Sequence, residues 1–434
     1  MKIDLKQKLL NRPVKRPTLF ARTYFYFWTT SKCRKHKVKC TFEFDKKSIK
    51  NKQILFVSTH ASRNDFFYTM GKLGRTDLHI VAGYQNFFAS KTNYFGMTQM
   101  NAIPKLLFQP DTSCTRKMLK VVKNGGSLAL FPEGIQSLSG STHPVNPATC
   151  KFIKKAGLPV VFAYTQGSYL SCPRYIREEK RGKVFVNYKI LFTPEDLKAM
   201  TEEQIYQKLM QHFRYDDFAF NKQARIKYVG KHHNVAGLNN ILYICPKCKQ
   251  KHAFDISLDK GNEQMVCNKC GYAVTVNEYY DLIVKNGDQY FEDIDKWCRW
   301  QRREVRKQIK QGNFQLNGRG KITQLRTDGW YKEPNNRIVL IEGDVTLDTT
   351  GLTVTNGQDK LFFDVAGLYS LTMATDKFLE FYHNDDYYNL VLDAPKTQLV
   401  EWMLASEEIH NLMDEKWNAA SNDVFDYDVE GEIK

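Results

Sequence analysis

The chain is 434 residues long and carries 64 Lys and Arg against 47 Asp and Glu, a formal net charge of +17, with 42% hydrophobic and 13% aromatic residues. That length exceeds one ordinary hydrophobic core and predicts two to four domains, while the apolar fraction excludes a disordered polycation. No run of 18 apolar residues and no signal-peptide-like segment occurs, which excludes an apolar spanning helix and points to a cytoplasmic protein, soluble or peripheral on the cytoplasmic face of a membrane.

The charge is uneven. Residues 1–50 hold 15 Lys and Arg and 3 Asp and Glu, a basic arm suited to anionic surfaces, whether nucleic acid or lipid headgroups. Within this N-terminal region, taken as 1–52, the stretch LFARTYFYFWTT (19–30) predicts a helix with Phe20, Tyr24, Phe27 and Trp28 on one face and Arg22 off it. Such a helix either packs on the domain behind it or meets a membrane interface. The alternation in KVKCTFEF then predicts a lead-in strand.

Residues 53–230 alternate between apolar strands (QILFVST, LHIVAG, SLALF, LPVVFAYTQ) and amphipathic helices, the pattern of an α/β domain with a central, mostly parallel sheet flanked by helices. Polar turns follow FVST and LALF, at the strand ends where such sheets place their chemistry. In the first turn, THASRNDF, His60 ends the strand and Asp65 enters the helix. A histidine there is a base near pH 7, and a carboxylate on its other ring nitrogen fixes the tautomer and stabilises the imidazolium. The competing reading makes Ser62-x-x-Asp65 a helix start resembling a capping box. In the second turn, LFPEGIQSLSG, Pro132 and Gly134 flank Glu133, which is placed to meet a polyol or a cation.

Farther on, CPKC (Cys245, Cys248) and CNKC (Cys267, Cys270) stand eighteen residues apart. Four thiolates at this spacing predict a zinc ribbon over 238–276 with a structural Zn, and His252 is read as a bystander. The remaining cysteines suggest no disulfide framework, in keeping with a reducing compartment. A connecting helix over 289–312 carries Arg299, Arg302, Arg303, Arg306, Lys307 and Lys310, read as a solvated basic face. Short alternating strands over 313–415 predict a small antiparallel β domain, barrel-like and closed by a C-terminal helix (395–413), which resembles the pleckstrin-homology type. Residues 416–434 read as a solvated acidic tail.

The two turns together resemble the first and third signature blocks of the glycerolipid acyltransferases, the 1-acylglycerol-3-phosphate O-acyltransferase family. MNAIPK (100–105) falls where that family has its second block, and GLPVVFAY (157–164) where it has its fourth. The resemblance covers roughly residues 20–215. It implies transfer of a fatty acyl group from a thioester, acyl-CoA or acyl carrier protein, to the hydroxyl of a lysophospholipid. His60 would be the base, Asp65 its orienting acid, and Glu133, Gly134, Lys105 and Arg63 the acceptor-binding residues. Ile135, Gln136 and Ser137 stand where the family has Thr-Arg-Ser, and Lys105 stands in place of an arginine, which leaves open an acceptor with a larger headgroup or one that is not a glycerolipid. The expected partners are an anionic membrane surface, a lysolipid and the acyl donor. Nucleic acid is not expected, although a non-catalytic zinc-ribbon protein binding nucleic acid or anionic lipid is the rival reading.

Overall fold

The computed structural model describes residues 5–107, 109–326, 328–330, 336–373, 378–425 and 427. The chain divides into two compact units, 1–230 and 231–434.

The first unit contains seven strands: β1 (Lys39–Phe42), β2 (Leu55–Ser58), β3 (His79–Gly83), β4 (Ile103–Lys105), β5 (Leu128–Leu130), β6 (Val160–Gln166) and β7 (Phe185–Phe192). They form one sheet in the order β1-β7-β6-β2-β5-β3-β4. Every neighbouring pair is parallel except β6 and β7, so the expected mostly parallel sheet is present. Its central strands β2 and β5 are buried at every residue, which is why they read as unbroken apolar runs and do not alternate.

The accompanying helices are α1 (Leu5–Leu10), α2 (Leu19–Lys35), α3 (Asp65–Leu73), α4 (Tyr84–Phe87), α5 (Lys91–Gln99), α6 (Thr112–Lys123), α7 (Ala148–Ala156), α8 (Ser168–Ser171), α9 (Pro194–Ala199), α10 (Glu202–Phe213) and α11 (Asp217–Ala224). Helix α2 extends one turn past the predicted stretch. It buries Ala21, Phe25, Thr29 and Cys33 at a four-residue spacing, with Phe25 against Phe66 at 4.9 Å between ring centroids. The opposite side leaves Leu19, Phe20, Tyr24, Tyr26, Phe27 and Trp28 between 45% and 76% exposed. One face of this helix therefore packs on the domain, and the aromatic face is open.

The second unit begins with β8 (Phe254–Ser257), β9 (Gln264–Cys267), β10 (Ala273–Val276) and β11 (Leu282–Asn286), an antiparallel sheet carrying the second cysteine pair. Helix α12 (Ile294–Lys310) follows. Seven further strands, β12 (Gln315–Leu325), β13 (Arg337–Asp348), β14 (Gly351–Thr355), β15 (Lys360–Asp364), β16 (Thr372–Met373), β17 (Leu379–His383) and β18 (Asp386–Leu392), pair antiparallel in the order β15-β14-β13-β12-β18-β17-β16. Helix α13 (Leu399–Met413) packs on β13 and β16. Among the described residues no pair joins β15 to β16, so the seven strands are an open series and not a closed barrel.

Two sequence expectations change here. The basic side of α12 is solvated only in part, with Lys307 and Lys310 exposed. Arg302 and Arg306 are buried, and Arg302 donates to Glu407 at 2.6 Å and Glu408 at 2.8 Å while Arg306 reaches Glu408 at 3.0 Å. The reason is that α13 is buried from Leu399 through Asn411, not along one stripe, and its buried carboxylates require cationic partners. The acidic tail is also not simply solvated: Glu415–Phe425 forms helix α14, burying Trp417, Ala420, Ser421, Val424 and Phe425. Residues 426 and 428–434 of that tail lie outside the described residues.

Candidate active site

Strands β2 and β5 are adjacent and parallel, with Leu55 opposite Leu128 and Val57 opposite Leu130. The chain therefore leaves both at the same end of the sheet, and the turns that follow them meet although they are some seventy residues apart in sequence. The His60 backbone N–H donates to Glu133 Oε1 at 2.6 Å, and the Ser137 N–H donates to the His60 carbonyl at 3.1 Å. The two sequence motifs are thus joined by one main-chain to side-chain bond and one main-chain bond.

Asp65 opens α3 and is 0% exposed. Its Oδ2 lies 3.5 Å from Nδ1 of His60, whose side chain is 19% exposed, and accepts the Ser62 N–H at 2.6 Å. Its Oδ1 accepts the Ser168 hydroxyl. Asp65 serves the helix start through the Ser62 amide, and the same oxygen faces the imidazole at an ion-pair distance without a hydrogen bond to it. With the carboxylate on the Nδ1 side, Nε2 is the nitrogen left to accept a proton. Phe131 packs beside the imidazole with centroids 5.0 Å apart.

Glu133 is 2% exposed. Besides the His60 amide it accepts the His143 N–H at 2.9 Å and the Tyr215 hydroxyl at 3.2 Å, both on Oε2. Burial nevertheless pushes its carboxyl up to about 8, outweighing these three bonds, with the Asp65 charge adding to the rise. Glu133, expected at the acceptor, is buried and holds the backbone of His60. Gly134 takes φ +73°, a left-handed conformation that lets the chain turn directly after Glu133 and that a Cβ would penalise.

The other expected acceptor residues are spread out. Arg63 is half-buried in the turn between β2 and α3. Its charge is felt by Cys172, whose thiol burial pushes up to about 12 while Arg63 opposes the rise. Lys105 ends β4, three strand positions from β2, a lateral separation of about 14 Å at the usual strand spacing. Its ammonium donates to the Leu106 carbonyl at 3.3 Å.

Sequence reading did not find four contributors: Arg174, Ser168, Asp217 and Tyr215. Arg174 Nη1 donates to the Gln136 carbonyl at 2.8 Å, which brings a guanidinium to the loop where Gln136 stands in place of one. Ser168 and Asp217 follow β6 and open α11. The available signal was the turn YTQGSY, a third polar turn after an apolar strand, of the same kind as the two that were read. The exposed face of α2 also connects with the site through ring contacts. Trp28 lies 4.6 Å from Phe67, Phe67 5.5 Å from Phe66, Phe66 6.5 Å from Phe131, and Phe131 5.0 Å from His60.

In the second unit the sulfurs of Cys245, Cys248, Cys267 and Cys270 lie within 4.8 Å of one another. Cys245 and Cys270 are 3.6 Å apart, and Cys248 and Cys267 are 3.7 Å apart. A tetrahedron of thiolates on zinc has edges of about 3.8 Å for Zn–S bonds of about 2.3 Å, so the four residues fit such an ion. Each pair sits in the same kind of turn, with Lys249 and Gly271 both left-handed after the second cysteine. Helix α12 braces this module: Gln301 accepts the Tyr243 and Ile244 amides at 2.6 and 2.9 Å. His252 bonds to Glu401 at 2.6 Å and is not among the four.

Comparison with known proteins matches residues 39–164 to the family model described as Acyltransferase, a stretch that contains His60, Asp65, Lys105, Glu133 and Gly134. A chloroplastic 1-acyl-sn-glycerol-3-phosphate acyltransferase of Brassica napus is 31% identical over 116 residues, 25% of this chain, and the chain spans about a third of that relative's length, 31%. Among solved structures, the 1-acyl-sn-glycerophosphate acyltransferase PlsC of Thermotoga maritima is similar with a TM-score of 0.38 and 20% identity, covering 44% of this chain and 76% of that one.

Proposed function

We propose that the protein is an O-acyltransferase that moves a fatty acyl group from a thioester, acyl-CoA or acyl carrier protein, to the hydroxyl of a lysophospholipid such as 1-acylglycerol-3-phosphate. The observation that carries this reading is the His60–Asp65 pair, Nδ1 to Oδ2 at 3.5 Å, held at its backbone by Glu133 inside the stretch matched to the acyltransferase family. In this mechanism Asp65 keeps the proton on Nδ1 and Nε2 removes the acceptor's hydroxyl proton. The oxygen attacks the thioester carbonyl carbon, forming the C–O bond. The tetrahedral adduct then expels the thiolate, which takes the proton back from the imidazolium. Atoms and charge balance without an acyl-enzyme.

No helix of the described residues is long and apolar enough to cross a membrane. We propose that lipid substrates are reached by peripheral contact with the cytoplasmic face of a membrane. The exposed aromatic face of α2 supplies apolar contact and the basic arm supplies charge, the two signals that stable surface binding requires. The ring contacts from Trp28 to Phe131 then offer an apolar course toward His60 for an acyl chain. Phosphate recognition is assigned to Arg63 with Lys105, and the four thiolates to a structural zinc that supplies folding energy and takes no part in the reaction.

For the rival reading, a non-catalytic nucleic-acid binder, the basic surface of α12 is reduced, because Arg302 and Arg306 are buried in ion pairs and only its lysines are exposed. Incubation with a radiolabelled acyl thioester and a panel of lysolipids tests the proposal. Labelled phospholipid is the expected product, and binding of RNA without turnover of any acceptor would contradict it.

A further inference from the structure

We infer that Ser168 is a positioning residue for the His60–Asp65 pair, and that Asp217 holds Ser168 in place. This rests on the acyl-transfer reading. Both residues lie outside the matched stretch 39–164, and both are buried.

The topology creates the arrangement. Strand β6 is the other neighbour of β2, parallel to it, with Ser58 opposite Ala163, so the turn after β6 emerges beside the turn that carries His60. Thr59 and Thr165 join the two turns through their hydroxyls at 3.0 Å. Ser168 is 0% exposed and gives its single hydroxyl proton to Asp65 Oδ1. The Ser62 hydroxyl lies 2.9 Å from that of Ser168 and 3.5 Å from Asp65 Oδ1, and it accepts from the Asn64 N–H at 3.2 Å. Asn64, Ser62, Ser168 and Asp65 thus form one hydrogen-bonded cluster. It occupies Oδ1 and leaves Oδ2 facing the imidazole. The Ser62 N–H already holds Oδ2, and the Ser168 hydroxyl on Oδ1 is the second anchor that fixes the plane of the carboxylate.

Ser168 has a dedicated support. Asp217, 1% exposed, accepts the Gly167 N–H at 2.9 Å and the Tyr169 N–H at 2.7 Å, bracketing Ser168 on both sides. Gly167 takes φ +75°, and a Cβ there would lie 2.1 Å from Tyr228 Oη, so the turn has one fit. The groups facing Asp65 and His60 are Glu133 beneath the imidazole, pushed up by burial to about 8, Tyr215 on Glu133, Asp217, pushed up by burial to about 7, and Arg63 across Cys172. All of them remain when Ser168 is changed, so a shift in the variant reports the lost hydroxyl.

Without that donor the ionised Asp65 is less well stabilised and the pair binds its proton more tightly. Ser168→Ala in the full chain is expected to lower kcat by about tenfold to a hundredfold, the range of one hydrogen bond to a charged group. KM should change little, and the acid limb of kcat/KM should move to higher pH. Ser168→Cys, a similar volume with a weaker donor, is expected between the two and serves if the alanine variant does not fold. Asp217→Asn should lower kcat, and combining it with Ser168→Ala should cost no more than Ser168→Ala alone, because both act through one bond.

Titration of the His60 ring by NMR of histidine-labelled protein, assigned with His60→Ala, gives a readout independent of turnover. Its pKa should rise in the Ser168 variants. A Ser168→Ala protein with wild-type kcat, pH profile and ring titration overturns the inference while leaving acyl transfer intact, and additive losses in the double variant overturn the role of Asp217. A wild type inactive on every lysolipid refutes the acyl-transfer reading, and the ring titration still decides whether Ser168 positions His60.

Discussion

Replacing Glu133 by glutamine separates its role as a buried clamp from that of a surface residue. The carboxylate receives three donors, the amides of His60 at 2.6 Å and His143 at 2.9 Å and the Tyr215 hydroxyl at 3.2 Å. Glutamine keeps one acceptor oxygen and turns an NH2 toward the other amide, whose N–H is then unpaired in a site 2% exposed. A stranded buried donor costs about 1–3 kcal/mol, equivalent to about 2–12 °C in Tm for a unit of this size.

The pH dependence is more diagnostic than the loss. In the folded protein the Glu133 carboxyl sits at about 8 against its ordinary 4.5, so between those values the native state holds a proton that the unfolded chain has released. Stability from this group is therefore full below about 4.5 and declines as pH rises toward 8, at up to about 1.4 kcal/mol per pH unit. Glutamine has no such slope, so the stability gap between the two proteins should shrink by about 3 kcal/mol from pH 5 to pH 7. Asp217 declines in the same direction but is common to both. Urea unfolding of each protein at pH 5, 6, 7 and 8, followed by circular dichroism, measures the gap. A gap that does not change with pH would refute the argument that burial controls this carboxyl.

The remaining structural claims are testable separately. Arg302→Met removes the cationic partner of buried Glu407 and one of the two arginines on buried Glu408, and should destabilise the second unit by about 3–5 kcal/mol in urea unfolding; a cost under about 1 kcal/mol would mean that the pairs are solvated. Phe20→Glu with Phe27→Glu alters side chains 70% and 66% exposed, so stability should stay within about 0.5 kcal/mol while sedimentation with anionic vesicles falls severalfold; unchanged vesicle binding removes α2 as the membrane contact. Atomic absorption should find one zinc per chain, absent from Cys270→Ser, and a strong chelator should lower the unfolding midpoint of the second unit. Full stability without metal would reject the ribbon assignment.

How much of this was legible in the sequence follows from what each residue's neighbours are. The two motif turns were readable because β2 and β5 are buried on both faces and so appear as pure apolar runs, each ending abruptly in polar residues. The cysteine module was readable because its ligands are carried by two local pairs. Ser168, Asp217 and Tyr215 were not readable, because each acts through bonds that span 48 to 103 positions of sequence, and nothing local distinguishes a serine that holds Asp65 from one that caps a turn. The same blindness reversed the meaning of α12. Arg302 and Arg306 look like a solvated face until α13, a hundred residues later, brings Glu407 and Glu408 against them. In the tail, seven acids between Asn411 and Lys434 masked the spacing of Trp417, Ala420, Val424 and Phe425 that buries one side of α14.

The most direct test of the account compares wild type with His60→Ala in acyl transfer from a labelled thioester to 1-acylglycerol-3-phosphate, at matched zinc content and solubility. General-base catalysis of this kind contributes about a hundredfold to ten-thousandfold, so the variant should fall by at least that lower figure while remaining folded. Transfer at the wild-type rate without the imidazole would contradict the assignment of this site.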